Sequence, residues 1–170
     1  MSGTEASLVV VNYLLHAGLT TAQALAQRSE GMDEWPGSLR TDLVLRLSDE
    51  HIESVGESRT LYLCWRQHIP SPTCQYAIHD ALGDLIARLD FAWPKLKAWL
   101  EFDGKEKYLK HRRPGESVAD AVLREKAREQ MIAELTGWRC IRITWADLDK
   151  PVATAERILR LLFPSGRAAA

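Results

Sequence analysis

The chain has 170 residues, a formal net charge of -1, 46% hydrophobic and 26% charged residues. That length predicts one domain with room for a small appendage, and that balance excludes wholesale disorder and a generally polybasic protein. It does not exclude a local basic surface, which is the relevant test for nucleic acid.

The first stretch reads as helices. In "EASLVVVNYLLHAGL" Leu8, Val11, Leu14 and Leu15 fall at helical spacing, with Gly18 as a stop. The apolar run Leu8–Val11 lacks a basic flank and is too short for a signal or a membrane span. "TTAQALAQRSEGM" opens on a Thr N-cap and closes at Gly31. "WPGSLRTDLVLRL" has Pro36 near a helix start and Leu39, Leu43 and Leu47 on one predicted face. "SVGESRTLYLCWRQH" predicts a longer helix from Gly56 to His68, with Leu61, Cys64, Trp65 and His68 on a shared face, stopped ahead of Pro70 and Pro72.

From there the period changes to two. "CQYAIHD", "LIARLDFAW" and "LKAWLEFDG" predict three strands in a meander of hairpins. "KEKYLKHRRPGESVAD" is a polar loop. "SVADAVLREKAREQMIAELTGW" predicts a helix with Val122, Ala127, Met131 (or Ile132) and Leu135 inward, ended by Gly137. "RCIRITWADL" predicts a strand, "VATAERILRLLF" a final amphipathic helix, and "PSGRAAA" a loose tail. The order from residue 54 is an α/β unit on a short mixed sheet. Residues 1–47 form a helical extension, 48–163 the main domain and 164–170 the tail. Trp93, Trp99, Trp138 and Trp145 are expected in the core or at its rim. Cys64, Cys74 and Cys140 lack the two-residue spacing of a zinc knuckle, and their odd number fits thiols in a reducing cytosol. A cytoplasmic location is expected, with no membrane partner.

"ARLDFAWPKLKAWLEFDGKEKY" carries the chemistry. Residues two apart on a strand share a face, so Glu101 and Asp103 point one way while Leu100 and Phe102 point into the core. Asp90 ends the preceding strand, and antiparallel pairing of 84–91 with 96–103 brings it beside Glu101. Converging carboxylates of this kind suit Mg²⁺ or Mn²⁺. The alternative is a set of solvated acids at strand ends. From Lys105 to Arg128 eight cations stand against four acids: Lys105, Lys107, Lys110, Arg112, Arg113, Arg124, Lys126 and Arg128. This basic run beside the acids suits phosphate steering, and equally a solvated loop and helix face.

At these residues the chain resembles the PD-(D/E)xK nuclease superfamily. It is similar to the small bacterial domains related to the very-short-patch-repair endonuclease, with their "DF…EhDG" pattern and a following helix that ends "L…G(W/Y)R". The match runs through "LREKAREQMIAELTGWRCIRITWADL" and back to "GES", over about 48–163. Residues before it resemble the linker of actinobacterial regulators of the AbiEi antitoxin type, whose usual winged-helix domain is not in this sequence. The resemblance implies a restriction-endonuclease-like core. It implies Asp90 and Glu101 as the metal pair, Glu57 as an outer acid and the Phe102 carbonyl as a further ligand. The superfamily lysine two residues after the Glu is replaced here by Asp103, as in the related small domains. Those often carry His where this chain has Lys107, so Lys105, Lys107 or Lys126 is a candidate for the lysine role. The nucleic-acid contacts expected are Lys105, Lys107, Lys110, Arg112, Arg113, Arg124 and Arg128.

Two functions follow as expectations. One is a metal-dependent DNA endonuclease; the other is a catalytically inactive DNA- or protein-binding regulator of the type IV toxin–antitoxin kind. DNA is the partner in the first. A toxin is the partner in the second, and a homodimer is compatible with both.

Overall fold

The structure is a computed structural model that describes residues 3–32, 35–80, 82–104 and 117–164, without the side chains of Val118 and Val122. The chain divides into two compact units, Met1–His68 and Ile69–Ala170.

The first unit holds four helices, α1 (Gly3–His16), α2 (Ala22–Ser29), α3 (Ser38–Leu47) and α4 (Val55–Arg66). On α1, Leu8 and Leu15 are buried one apolar stripe deep, and Asn12 between them is fully buried as well. Asn12 is satisfied on both sides: its Nδ2 donates to Ser58 Oγ at 3.1 Å and its Oδ1 accepts the Asp49 N–H at 3.0 Å. It thereby joins α1 to α4 and to the connection between α3 and α4. The Thr21 hydroxyl caps α2 as expected, accepting the Ala24 N–H at 3.1 Å.

Two predicted faces need correction. On α3 the buried residue is Val44, whereas Leu39 is 83% exposed. The helix begins only at Ser38, after Gly37 in a left-handed conformation with φ 96°, so Leu39 lies in its first turn beyond the packed face. On α4 the chain leaves the helix at Arg66, and His68 takes a φ of 55°, so it cannot share the face of Leu61 and Cys64. Trp65 is 38% exposed. Cys64 is buried, and burial pushes its thiol up to about 12.

In the second unit one sheet has the order β1 (Thr73–His79), β2 (Leu85–Trp93), β3 (Ala98–Asp103), β4 (Arg139–Thr144). β1, β2 and β3 are antiparallel neighbours, and β4 is parallel to β3. A short 3₁₀ turn, Pro94–Leu96, links β2 to β3. A parallel pair needs a crossover, and the helix α5 (Val118–Thr136) lies in it. The Ser117 hydroxyl caps its start, and Gly137, with φ 67°, closes its end. Two further helices follow β4, α6 (Trp145–Leu148) and α7 (Pro151–Leu162). α7 buries Thr154, Ala155, Ile158 and Leu162 at helical spacing.

Ile78, Ala87, Leu89, Ala92, Trp99 and Ile132 form one apolar cluster. α5 therefore enters the core through Ile132 rather than Met131. Met131 and Leu135 are 43% and 50% exposed and Ala127 is exposed as well, which corrects the predicted face. The Val122 side chain lies outside the described residues. Each step along a helix turns about 100°, so a stripe read one residue out of phase moves its long side chains to the rim. β4 is also shorter than "RCIRITWADL" predicts. The Asp147 carboxylate accepts the Thr144 N–H and hydroxyl, at 2.8 and 2.9 Å, and turns the chain into α6. Of the tryptophans, Trp99 and Trp93 are in the core, Trp138 is half-buried, and Trp145 is 39% exposed with its ring edge-on to Phe102. Among the described residues no helix is long and apolar enough to cross a membrane.

Candidate functional site

The antiparallel ladder between β2 and β3 pairs Trp93 with Ala98, Ala92 with Trp99 and Phe91 with Leu100. The next position along that register sets Asp90 opposite Glu101. Both are buried, at 7% and 6% exposure. Asp90 lies inside β2, which runs on to Trp93, rather than at a strand end. Its Oδ2 accepts the Phe102 N–H at 2.8 Å. The carboxylate thus supplies the acceptor that the ladder no longer provides beyond Leu100.

β1 and β2 keep one register on both sides of Gln75 and Asp90, and the shift in their ladder lies between Ile78 and His79. Gln75, at the position matching Asp90 on β1, has φ 48°, rare for a residue other than glycine.

Glu101 lies beside Arg142 on the parallel neighbour β4. From α5 the Arg128 Nη2 comes within 3.2 Å of Glu101 Oε1 and 2.8 Å of Glu125 Oε1. Arg142 Nη2 lies 3.2 Å from Glu125 Oε1 and 2.9 Å from Glu129 Oε2. Acids and guanidinium groups therefore alternate from Glu101 through Arg128, Glu125 and Arg142 to Glu129. Burial works against the charge on Arg128. The hydrogen bonds to Glu125 and the charges of Glu101 and Glu125 more than offset it, holding the guanidinium above its ordinary value. Burial first, and the nearby Glu129 and Glu101 charges next, push the Cys140 thiol well up, so it stays protonated.

Asp103, Lys126, Glu129, Gln130, Ala133 and Arg142 line an open groove of about 530 Å³. The structure thus brings Asp103 and one lysine candidate, Lys126, to a single groove. Arg124 is half-buried on α5. Lys105, Lys107, Lys110, Arg112 and Arg113 lie outside the described residues.

Glu57, in the first unit, is 2% exposed and has a structural task at the start of α4. Its Oε1 accepts the Ser54 hydroxyl at 2.6 Å, its Oε2 accepts the Glu53 N–H at 3.0 Å, and its own N–H donates to Ser54 Oγ at 3.1 Å. This is a reciprocal cap on a buried helix end. Glu57→Ala is expected to destabilise the first unit by about 1–2 kcal/mol, with or without divalent metal, because the cap is lost. Denaturant unfolding followed by circular dichroism in EDTA measures it. An unchanged midpoint in EDTA would leave the buried acid with no structural role.

Glu125, Glu129 and Arg142 stand out only in three dimensions. Their sequence trace is slight: two acids four apart on a predicted helix, and an arginine two residues after Cys140 on a predicted strand. Among the described residues no group of three or more His, Cys, Asp or Glu side chains is placed to hold a metal ion. Asp90 and Glu101 are two hard oxygen donors, and two carboxylates are a common protein share of a hydrated Mg²⁺ site. By donor chemistry the pair fits such an ion.

No family model matches the chain, and no solved structure matches it. Two curated relatives do: the uncharacterized protein Rv2248 of Mycobacterium tuberculosis strain H37Rv and the uncharacterized protein MT2308 of strain CDC 1551. Each is 33% identical over 120 residues, which is 70% of this chain and 41% of the relative. The chain spans about two fifths of the length of the curated relatives it matches.

Proposed function

We propose that residues 48–163, whose sheet lies in the second unit, form a restriction-endonuclease-like core of the PD-(D/E)xK kind, acting as a metal-dependent DNA endonuclease. The observation that carries this reading is the meeting of two buried carboxylates, Asp90 and Glu101, at facing positions where β2 and β3 part. A buried pair of like charges is costly unless cations neutralise it. In the superfamily resemblance these are the residues that hold Mg²⁺ or Mn²⁺. When bound, such an ion lowers the pKa of a water and stabilises charge on a phosphate.

The chain's own residues divide the remaining work. The Phe102 N–H orients Asp90. β3 pairs Glu101 with Arg142 of β4, one residue past the last pairing with β2 at Leu100. Lys126, exposed in one groove with Asp103, is the candidate for meeting a phosphate oxygen or holding the attacking water, the task of the missing superfamily lysine. Arg124 and the basic run from Lys105 to Arg113 supply positive charge next to the acids in sequence.

One observation favours a second reading, a non-cutting regulator that binds DNA or a toxin-like protein: Glu101 is already ion-paired with Arg128. The test is incubation of the purified chain with supercoiled and linear DNA in Mg²⁺, Mn²⁺ or EDTA, repeated with Asp90→Ala and Glu101→Ala. The expected result is metal-dependent cutting that both substitutions abolish. Cutting that persists in both would sink the site. Absence of cutting with DNA binding retained would establish the regulator instead.

A further inference from the structure

Arg128 reaches the same two strands that carry the acids. Its Nη1 approaches the Arg88 carbonyl of β2 at 3.5 Å, and its Nη2 approaches Glu101 of β3 at 3.2 Å. Glu125, one helical turn away on α5, anchors the guanidinium from behind, with its Oε1 2.8 Å from Nη2. Glu101 is 8% and Arg128 28% exposed at the side chain, so water screens their attraction little. An arginine stays charged at any working pH and its planar fork can grip a carboxylate and a carbonyl together.

We propose that Arg128 is a built-in cationic latch: it neutralises Glu101 and ties β2 to β3, and a divalent ion on Asp90 and Glu101 must displace it. This rests on the reading of Asp90 and Glu101 as metal ligands. Two positive charges on one buried carboxylate repel, so the latch lowers the affinity for the ion. Glu125 already holds Nη2 at 2.8 Å, so a guanidinium displaced from Glu101 keeps that anchor, and a DNA phosphate is its natural next partner. Metal and DNA then favour one another, since each relieves the other's competition for Arg128.

Mn²⁺ titration of the full chain, followed by electron paramagnetic resonance or calorimetry without DNA, tests the latch. Arg128→Gln is expected to bind Mn²⁺ about 5–150-fold more tightly than the wild-type chain, the range typical of coupled sites. Arg128→Lys keeps a charge but loses the fork, so it is expected to fall in between, and it serves if the Gln variant fails to fold. Affinity no tighter in either variant overturns the latch. If Asp90→Asn and Glu101→Gln still weaken Mn²⁺ binding in that case, only the latch falls. If those two leave binding unchanged, or if no variant binds Mn²⁺, the metal site falls with it.

Discussion

Asp90→Asn is expected to fold as the wild-type chain does and to lose metal-dependent DNA cleavage by more than about a hundredfold. The two halves of this result come from the two oxygens of one carboxylate. One oxygen accepts the Phe102 N–H at 2.8 Å where the β2–β3 ladder ends. An asparagine carbonyl can accept the same hydrogen bond, so the strands keep their closure. The amide carries no charge, so the pair with Glu101 drops to one carboxylate and holds a hard divalent ion poorly. Asp90→Ala removes charge and acceptor together, and leaving the buried Phe102 N–H without its partner costs a further ~1–3 kcal/mol. A gel-based cleavage assay, paired with thermal unfolding of each variant, separates the two effects. Full cleavage by a stably folded Asp90→Asn would show that Asp90 serves the fold alone.

Trp99→Ala is expected to destabilise the second unit by about 3–5 kcal/mol, a large part of the 5–15 kcal/mol typical of a whole domain. Trp99 is 1% exposed. It packs with Ala92 and Leu89 of β2 and with Ile132 of α5, so its loss opens a cavity bounded on two sides by rigid, paired strands and on a third by a helix. Such walls relax little, and the cost rises with the volume left empty. The same residue stands two positions before Glu101 on β3, so slackness there also loosens the acid. Guanidinium-induced unfolding measures the effect, and a loss below about 1 kcal/mol would mean that the cavity collapses and the sheet is not rigid here.

The order of elements was legible because each is a local pattern. "LIARLDFAW" and "LKAWLEFDG" are short apolar runs bounded by turn residues, and the strands appear as β2 and β3. The Thr21 hydroxyl marks the start of α2, and the left-handed backbone that Gly137 adopts freely marks the end of α5. The meeting of Asp90 with Glu101 was legible too, because a tight link between antiparallel strands leaves little choice of register. The helix faces were harder. Leu39, Met131 and Leu135 turn outward although they are long and apolar, because a helix buries only the arc that its neighbours reach.

What the sequence determined by itself is therefore the α/β alternation and the juxtaposed pair of acids, both products of short-range spacing. Only the tertiary structure decided which cation meets Glu101. Arg128 is 27 residues further along the chain, and Glu125, Arg142 and Glu129 complete the charge chain from the crossover helix and the strand that follows it. The rotation of α5 over the sheet selects those partners. Ile132 seating itself against Trp99 sets that rotation, and packing of this kind leaves no periodic mark in the chain.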